Sequence, residues 1–259
     1  MVKHSASSLL VSKSHYVNSP EYLSKLIRGI LYGLKITNRQ FHERYHVAFP
    51  PEPGTPARNS NSRISALCGD IYNNEKFMTA YIFRQILTVI GYTDEVLRIT
   101  VAVEGRDEPY VFATDMTCQD IDDMCQGGDK KCMISADKYN SSPGKLSKLL
   151  RGILYGLRIS REDFKALYKE KYEALDRAEQ RSGSARLTSF NFNINNDKKS
   201  ITFYLFEGVL RVLKVRILSM GADVKDVVTH DIKTFSTAMS ADDIDEMIKK
   251  TDAIGISAL

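Results

Sequence analysis

The chain contains an internal sequence repeat with a period of 123 residues. Aligning Ser19–Phe41 with Ser142–Phe164 makes 15 of the 23 positions identical. The same offset, without a gap, brings Phe112–Met124 over Phe235–Met247 near the far end of each copy. A period of this length matches a whole domain rather than a solenoid unit of roughly 20 to 50 residues. We therefore expect a duplicated domain with its own core in each copy.

Glycine, lysine and serine pairs between Gly127 and Pro143 interrupt the apolar periodicity and indicate the boundary between the copies. We assign residues 1–18 to a flexible N-terminal tail. Residues 19–141 form repeat 1, with a helical core at 22–91, and residues 142–259 form repeat 2, with a core at 145–214. Each core is followed by an acidic C-terminal part.

Apolar spacing predicts four helices in each core. Residues around Ile30 recur at helical spacing and indicate an amphipathic first helix. Thr37 is placed to cap the second helix. The third helix is expected around Arg63–Tyr72, and the fourth over Met78–Ile90, ending at Gly91 as a terminating residue.

A small β-hairpin and a short acidic helix are expected after the fourth helix. Val96–Val103 alternates in the manner of a strand, and Tyr110–Ala113 supplies a partner. The corresponding segment of repeat 2, Ser219–Lys225, is a poor strand sequence. The acidic helix is capped by Thr117 or Ser240. The predicted fold class is mainly α (α+β), with each helical domain followed by a hairpin and a C-terminal helix.

Both copies keep two glycines four residues apart in the first helix, at Gly29 and Gly33 and at Gly152 and Gly156. Each glycine destabilises a helix by roughly 1 kcal/mol relative to alanine. A retained pair on one face therefore predicts the close approach of another helix.

The motif Leu-x-Lys-Leu-[Ile/Leu]-x-Gly-Ile-x-x-Gly-Leu, followed by the apolar helix Tyr81–Gly91, resembles the lambda-repressor-like, Xre-type helix-turn-helix domain. The resemblance covers Leu23–Gly91 and Leu146–Lys214. It implies that the third helix enters the major groove of DNA. The chain departs from this class at residues 49–60 and 172–185, which are longer than a turn of about four residues and are interpreted as insertions.

The resemblance implies two sets of DNA-contacting residues. Arginine can bridge guanine and asparagine can bridge adenine, whereas lysine and arginine also hold phosphates. The base-reading candidates on or beside the third helices are Ser62, Arg63, Ser65, Arg186, Thr188, Ser189, Asn191 and Asn193. The phosphate-binding candidates are Lys25, Arg28, Lys76, Lys148, Arg151, Lys198 and Lys199.

Charge is distributed unevenly within each copy, although the net charge of the chain is only +4. Pro20–Gly91 has 9 basic and 5 acidic residues, and Pro143–Lys214 has 15 and 8. The remainders, Tyr92–Ser141 and Val215–Leu259, have 5 basic residues each against 11 and 8 acidic ones. This polarity would orient a domain on a polyanion. The alternative is that the charges only solvate the surface.

The sequence predicts neither catalysis nor a cofactor. The copies share no histidine, and no glycine-rich phosphate loop or metal-ligand set is present. Cys118, Cys125 and Cys132 are spaced by seven, but repeat 2 has Ala241 where repeat 1 has Cys118, so we interpret them as ordinary residues. The shared acidic pair Asp120 and Asp122 is expected to compensate a helix dipole. No apolar run reaches the roughly 20 residues of a membrane span, and we expect a cytoplasmic protein.

These features predict a sequence-specific, double-stranded-DNA-binding transcription regulator of bacterial or mobile-element type that acts as a covalent pseudo-dimer. Joining two reading units raises avidity without new contacts. The alternative is a protein-interaction module on a helix-turn-helix-like scaffold, with RNA polymerase, a second regulator or a host defence protein as its partner. Further homo- or hetero-oligomerisation is left open.

Overall fold

The computed structural model describes residues 8–50, 57–73, 78–126, 132–173 and 187–256. It is an α+β protein whose helices and strands recur at the 123-residue offset found in the sequence. In the first half the elements are α1 (Lys13–Val17), α2 (Tyr22–Gly33), α3 (Asn38–Ala48), α4 (Ala57–Tyr72), α5 (Ala80–Ile90), β1 (Tyr92–Val103), β2 (Tyr110–Ala113) and α6 (Cys118–Cys125). In the second half they are α7 (Ala136–Asn140), α8 (Lys145–Gly156), α9 (Arg161–Glu173), α10 (187–195), α11 (Phe203–Val212), β3 (Val215–Asp226), β4 (Ile232–Ser236) and α12 (Ala241–Ile256).

The strands form one antiparallel sheet in the order β2-β1-β3-β4. Ile99 of β1 lies opposite Phe112 of β2, and Ala222 of β3 lies opposite Phe235 of β4. All four of these residues are almost completely buried, so one face of each hairpin belongs to a hydrophobic core.

The compact units of the structure differ from the contiguous repeats expected at 19–141 and 142–259. One unit consists of Met1–Glu95 with Met220–Leu259, and the other is Val96–Ser219. Each unit therefore combines the helices of one repeat with the hairpin and acidic helix of the other. The chain passes between units within β1 and within β3, which are continuous strands with residues in both.

Helix α2, predicted as an amphipathic helix, lies at the centre of the first unit. It packs against α1, α4, β4 and α12, and ten of its twelve residues are buried. Arg28, which helical spacing places away from the apolar residues of this helix, is buried as well, with 2% of its surface exposed. Helix α8 has the same position in the second unit, with α6, α7, α11 and β2 around it.

Part of the segment expected to be a flexible tail over residues 1–18 is structured. Leu10 and Val11 are fully buried, and α1 places Tyr16 against α2 with only 1% of its surface exposed. The Leu10 amide donates to the Ile36 carbonyl at 2.8 Å. Leu10, Val11 and Tyr16 therefore belong to the core of the first unit.

The glycine pairs are explained by close packing, as the sequence predicted, but a strand and an aromatic ring take part as well as a helix. A Cβ atom on Gly33 would lie 2.6 Å from Phe235 of β4 and 2.9 Å from Ile244 of α12. One on Gly29 would lie 3.0 Å from Tyr16. Gly152 and Gly156 are covered in the same way by Tyr139, Phe112, Ile121 and Cys125.

The hairpin expected in the second copy is present, although Ser219–Lys225 is a poor strand sequence, since this segment lies inside the twelve-residue strand β3. Met220, Ala222 and Val224 alternate with more exposed residues and are fully buried. Pairing with β4 supplies the backbone hydrogen bonds, so tertiary context overrides the weak strand preference of this glycine-containing sequence.

Carboxylates of the acidic helices pair with the helical parts of the units. Ser240 caps α12 as predicted, since its Oγ accepts from the Asp243 amide at 3.1 Å. Asp245 instead accepts from Tyr32 at 2.7 Å and pairs with Lys35. In the second unit, Asp122 makes the matching contacts with Tyr155 and Arg158. One carboxylate of each acidic helix thus pairs with a basic residue that follows the central helix of the same unit.

Replacing Gly33 by alanine should destabilise the protein by about 1–2 kcal/mol. The added methyl group overlaps Phe235, which costs about 1–3 kcal/mol, and the gain in helix propensity recovers only part of that. Gly69→Ala is the matched control, because apart from its chain neighbours and its own helix backbone nothing lies within 4 Å of its Cβ position on α4, and it should stabilise by about 0.5–1 kcal/mol. Urea unfolding measures both, and equal effects of the two substitutions would contradict the packing account.

Asp245→Asn should lower stability at neutral pH by up to about 1 kcal/mol and have no effect in acid. Lys35 and Tyr32 hold the pKa of Asp245 below its ordinary value of 3.8, so its carboxylate stabilises the fold above that pH and loses this contribution as pH falls. Asp242→Asn, at a side chain 83% exposed, is the control and should change stability less. Thermal unfolding between about pH 2 and pH 7 tests this, and a difference that persists unchanged at pH 2 would contradict it.

Candidate nucleic-acid interface

Helix α4 presents three of the predicted base-reading residues to solvent. Ser62, Arg63 and Ser65 are exposed, whereas Ile64 and Ile71 on the opposite side are fully buried. The helix is therefore amphipathic, with its apolar side in the core and a polar, hydrogen-bonding side outward.

Helix α10 has a comparable arrangement in the second unit. Thr188 and Ser189 are exposed, and Ile194 is buried. Asn193 is half-buried, and its side-chain amide donates to the Ser189 carbonyl at 2.8 Å. Asn191 is also half-buried, and its carbonyl accepts from Asn195. Arg186, predicted as a base reader, lies outside the described residues.

Two predicted phosphate ligands are inside the protein. Arg28 is 2% exposed and Arg151 is 1% exposed, so neither guanidinium can reach a phosphate. The prediction is wrong for both residues. Helices α2 and α8 are each surrounded by other elements, so the arginines are buried together with the apolar residues around them.

Arg28 instead bonds the C-terminal ends of two helices. Its Nε donates to the Ile71 carbonyl at the end of α4 at 2.8 Å, and Nη1 donates to the His15 carbonyl of α1 at 3.1 Å. Nη2 donates to the Asn73 carbonyl at 3.4 Å. Terminal helix carbonyls have no partner within their own helix and carry partial negative charge, so a cation there is favourable.

Arg151 makes the equivalent contacts in the second unit. It donates to the carbonyls of Ile194 at 3.0 Å, Lys138 at 2.7 Å and Asn196 at 3.0 Å, and its Nη2 also pairs with Asp197 at 2.7 Å. Both candidate reading helices are therefore held at their C-terminal ends by a buried arginine. Sequence reasoning missed this role, although Arg-Gly is retained in both copies within an otherwise apolar stretch.

The lysine candidates differ in their surroundings. Lys198 and Lys199 are exposed immediately after α10. Lys25 and Lys148 are half-buried, with their Nζ atoms 5.6 Å and 5.1 Å from the ring centres of Tyr16 and Tyr139. Lys76 lies outside the described residues. The exposed lysines following α10 are the best placed of the set for phosphate.

Exposed aromatic side chains occur on α10 and on the fourth helix of each core, α5 and α11. The sequence reasoning placed Tyr81 in an apolar helix and did not single out the other two. Phe192 of α10 is 67% exposed, and Tyr81 and Tyr204, at equivalent positions of α5 and α11, are 68% and 65% exposed. Large exposed aromatic groups are common at protein interfaces.

The exchange of segments changes the expected charge polarity. The unit containing α2 carries 15 basic and 15 acidic residues in sequence, whereas the unit containing α8 carries 21 and 17. The second unit, with α10 and its lysines, is the positively charged one.

The cysteines are free thiols in partly buried positions. Burial raises the pKa of the Cys125 thiol to about 11 and also raises the pKa values of Cys118 and Cys132. Protonated thiols are poor nucleophiles and poor metal ligands. Within the described ranges, no group of three or more His, Cys, Asp or Glu side chains is arranged to hold a metal ion.

Comparisons with protein-family models, with curated proteins and with solved structures find no match to this chain. Among the described helices, none combines the length and apolar character that crossing a membrane requires.

Arg28→Met should destabilise the protein by about 3 kcal/mol, because it removes the donors to three helix-end carbonyls, and each buried unsatisfied acceptor costs about 1–3 kcal/mol. Arg39→Met, which removes an exposed guanidinium paired with Glu43 on α3, is the control and should cost less than about 0.5 kcal/mol. Urea denaturation followed by circular dichroism measures both, and a loss no greater for Arg28 than for Arg39 would refute the capping role.

Proposed function

We propose that this protein is a cytoplasmic, non-enzymatic regulator that binds specific sequences of double-stranded DNA through α4 and α10. The observation that carries the proposal is the pair of equivalent helices that turn a hydrogen-bonding face outward while their apolar faces are buried. A polar helix face is the surface that reads base edges in the major groove.

The buried arginines support the proposal energetically. Arg28 and Arg151 fix the C-terminal ends of the two helices on α2 and α8. A helix held in one orientation loses little conformational entropy on binding, so more of its contact energy is retained as affinity and specificity.

The side chains have distinct proposed roles. Arg63 would bridge the O6 and N7 atoms of a guanine, and Ser62 and Ser65 would donate to or accept from adjacent base edges. On α10, Thr188 and Ser189 have the same role. Lys198 and Lys199 would hold phosphates and position the helix.

Replacing Lys198 and Lys199 together by glutamate should reduce the dependence of duplex affinity on salt concentration. Each lysine that neutralises a phosphate adds about 0.9 to the slope of log affinity against log salt, so the slope should fall by about 2. Fluorescence anisotropy with a duplex obtained by selection from a random pool, measured between about 50 and 200 mM salt, gives the slope.

Lys249→Glu with Lys250→Glu is the matched control, since it makes the same change of net charge at an adjacent exposed pair on α12. This variant should keep the slope of the unmodified protein. Equal slopes for both double variants would refute phosphate binding after α10, and no saturable duplex binding at low salt would refute the proposed function.

A protein-interaction module is the second candidate, favoured by Phe192, whose ring is 67% exposed on the same helix as the polar candidates. An exposed phenylalanine gains about 1.5–3 kcal/mol when a partner buries it. If this candidate is correct, Phe192→Ser should abolish a protein complex whose affinity does not depend on salt. Salt-dependent duplex binding that is lost when Lys198 and Lys199 are replaced by glutamate supports the first candidate instead.

A further inference from the structure

An apolar groove of about 550 Å³ lies in the first unit, between the end of α3, the end of α5 and the turn joining β3 to β4. This volume is in the range of small-molecule binding sites, roughly 300–1,000 Å³. Its walls include Val47, Ile90, Gly91, Val227 and Val228. No described residue outside the first unit contributes to it.

The groove exposes apolar side chains that the fold does not bury. Val47 is 83% exposed, Val228 is 82% exposed and Val227 is 50% exposed. A contiguous apolar surface inside a concavity is favourable to cover, since each buried methylene gains about 0.8 kcal/mol.

The repeat provides an internal comparison that shows the groove is not required by the fold. At the 123-residue offset, Val47 corresponds to Glu170, Gly91 to Lys214 and Val227 to Glu104. In the second unit the Lys214 Nζ pairs with Glu170 at 2.9 Å and lies 4.0 Å from Glu104. The equivalent position is therefore occupied by charged side chains that pair with one another.

The polar end of the groove has a cation. Arg44 donates from Nη1 to the Ile90 carbonyl at 2.6 Å, which holds the guanidinium at the end of α5. Asp226, also in the lining, accepts the amides of Thr229 at 3.0 Å and Val228 at 2.8 Å. These hydrogen bonds, a further one with Tyr92 and the charge of Arg44 lower the pKa of its carboxyl. Among the described residues no carboxylate forms a direct ion pair with Arg44, although Asp226 attracts it at longer range. Its position in the second unit is taken by Leu167.

We infer that this groove binds a medium-chain aliphatic monocarboxylate, with the chain against the valines and the carboxylate paired with Arg44. An arginine fork matches the two oxygens of a carboxylate, and the apolar chain supplies the contact area. The site shares none of the residues proposed to contact DNA, so either proposal can fail alone.

The test is a calorimetric titration of the full chain with octanoate, with 1-octanol as the neutral probe. Octanoate should bind saturably with one site per chain. Val47→Glu, which introduces the residue of the second unit at an exposed position, should weaken octanoate at least about tenfold. Val17→Glu, the same substitution at a 58% exposed valine of α1, should leave binding unchanged.

Arg44→Leu, which introduces the other residue of the second unit, should weaken octanoate about tenfold while leaving 1-octanol unaffected. Equal loss in the Val17 and Val47 variants, or octanoate affinity that is unchanged in both the Val47 and Arg44 variants, would overturn the site. If octanoate does not saturate the protein, and sedimentation shows a dimer of the chain that Val47→Glu dissociates, the carboxylate ligand is overturned and the groove is assigned to a second copy of the chain.

Discussion

The rest of the structure depends on the hydrogen bonds of a buried guanidinium to the C-terminal end of each candidate reading helix. Burying a charge is costly unless it is hydrogen-bonded, and both Arg28 and Arg151 meet this condition with carbonyls at the ends of two surrounding helices. Each arginine thereby ties a central helix to the helix that offers a polar face to solvent. The position of that face is consequently set by the core and not by a flexible loop, which is the condition for reading a sequence with precision.

The second constraint is the glycine face of α2 and α8. In each unit this face is covered by side chains from the hairpin and acidic helix of the other repeat, which we call the cover. Phe235 and Ile244 cover Gly33, and Phe112 and Ile121 cover Gly156. Both glycines are covered by a phenylalanine and an isoleucine at equivalent positions, and Cys125 also covers Gly156. The continuous strands β1 and β3, each about 40 Å long at 3.3 Å per residue, carry the cover away from its own repeat and into the other unit. A protein with two sequence repeats thus has two compact units that each use both repeats.

Local features were predictable because they depend on nearby residues. Thr37 caps α3 in the expected box with Gln40, Gly91 ends α5 in the left-handed conformation, and the retained glycines do mark close packing. The burial of Arg28 was not predictable from residue type, since an isolated arginine favours solvent and only the surrounding helices make it internal. Strand β3 and the exchange of covers depend on contacts between residues far apart in the sequence. Because both covers place a phenylalanine and an isoleucine at equivalent positions, the sequence does not tell which cover packs on which helix. The polar faces of α4 and α10 were predicted by position, whereas the apolar groove near Val47 becomes visible only when three separate segments are brought together.

We propose that duplex DNA contacts α4 and α10 directly. The proposal rests on the polar faces of these helices, on their fixed C-terminal ends and on the exposed lysines after α10. Cross-linking with a bromodeoxyuridine-substituted duplex, followed by mass spectrometry of the cross-linked peptides, tests this claim most directly. The account predicts cross-links in peptides that contain residues 62–65 and 188–199. Cross-links restricted to other peptides, with these two segments unmodified at saturating duplex, would contradict it.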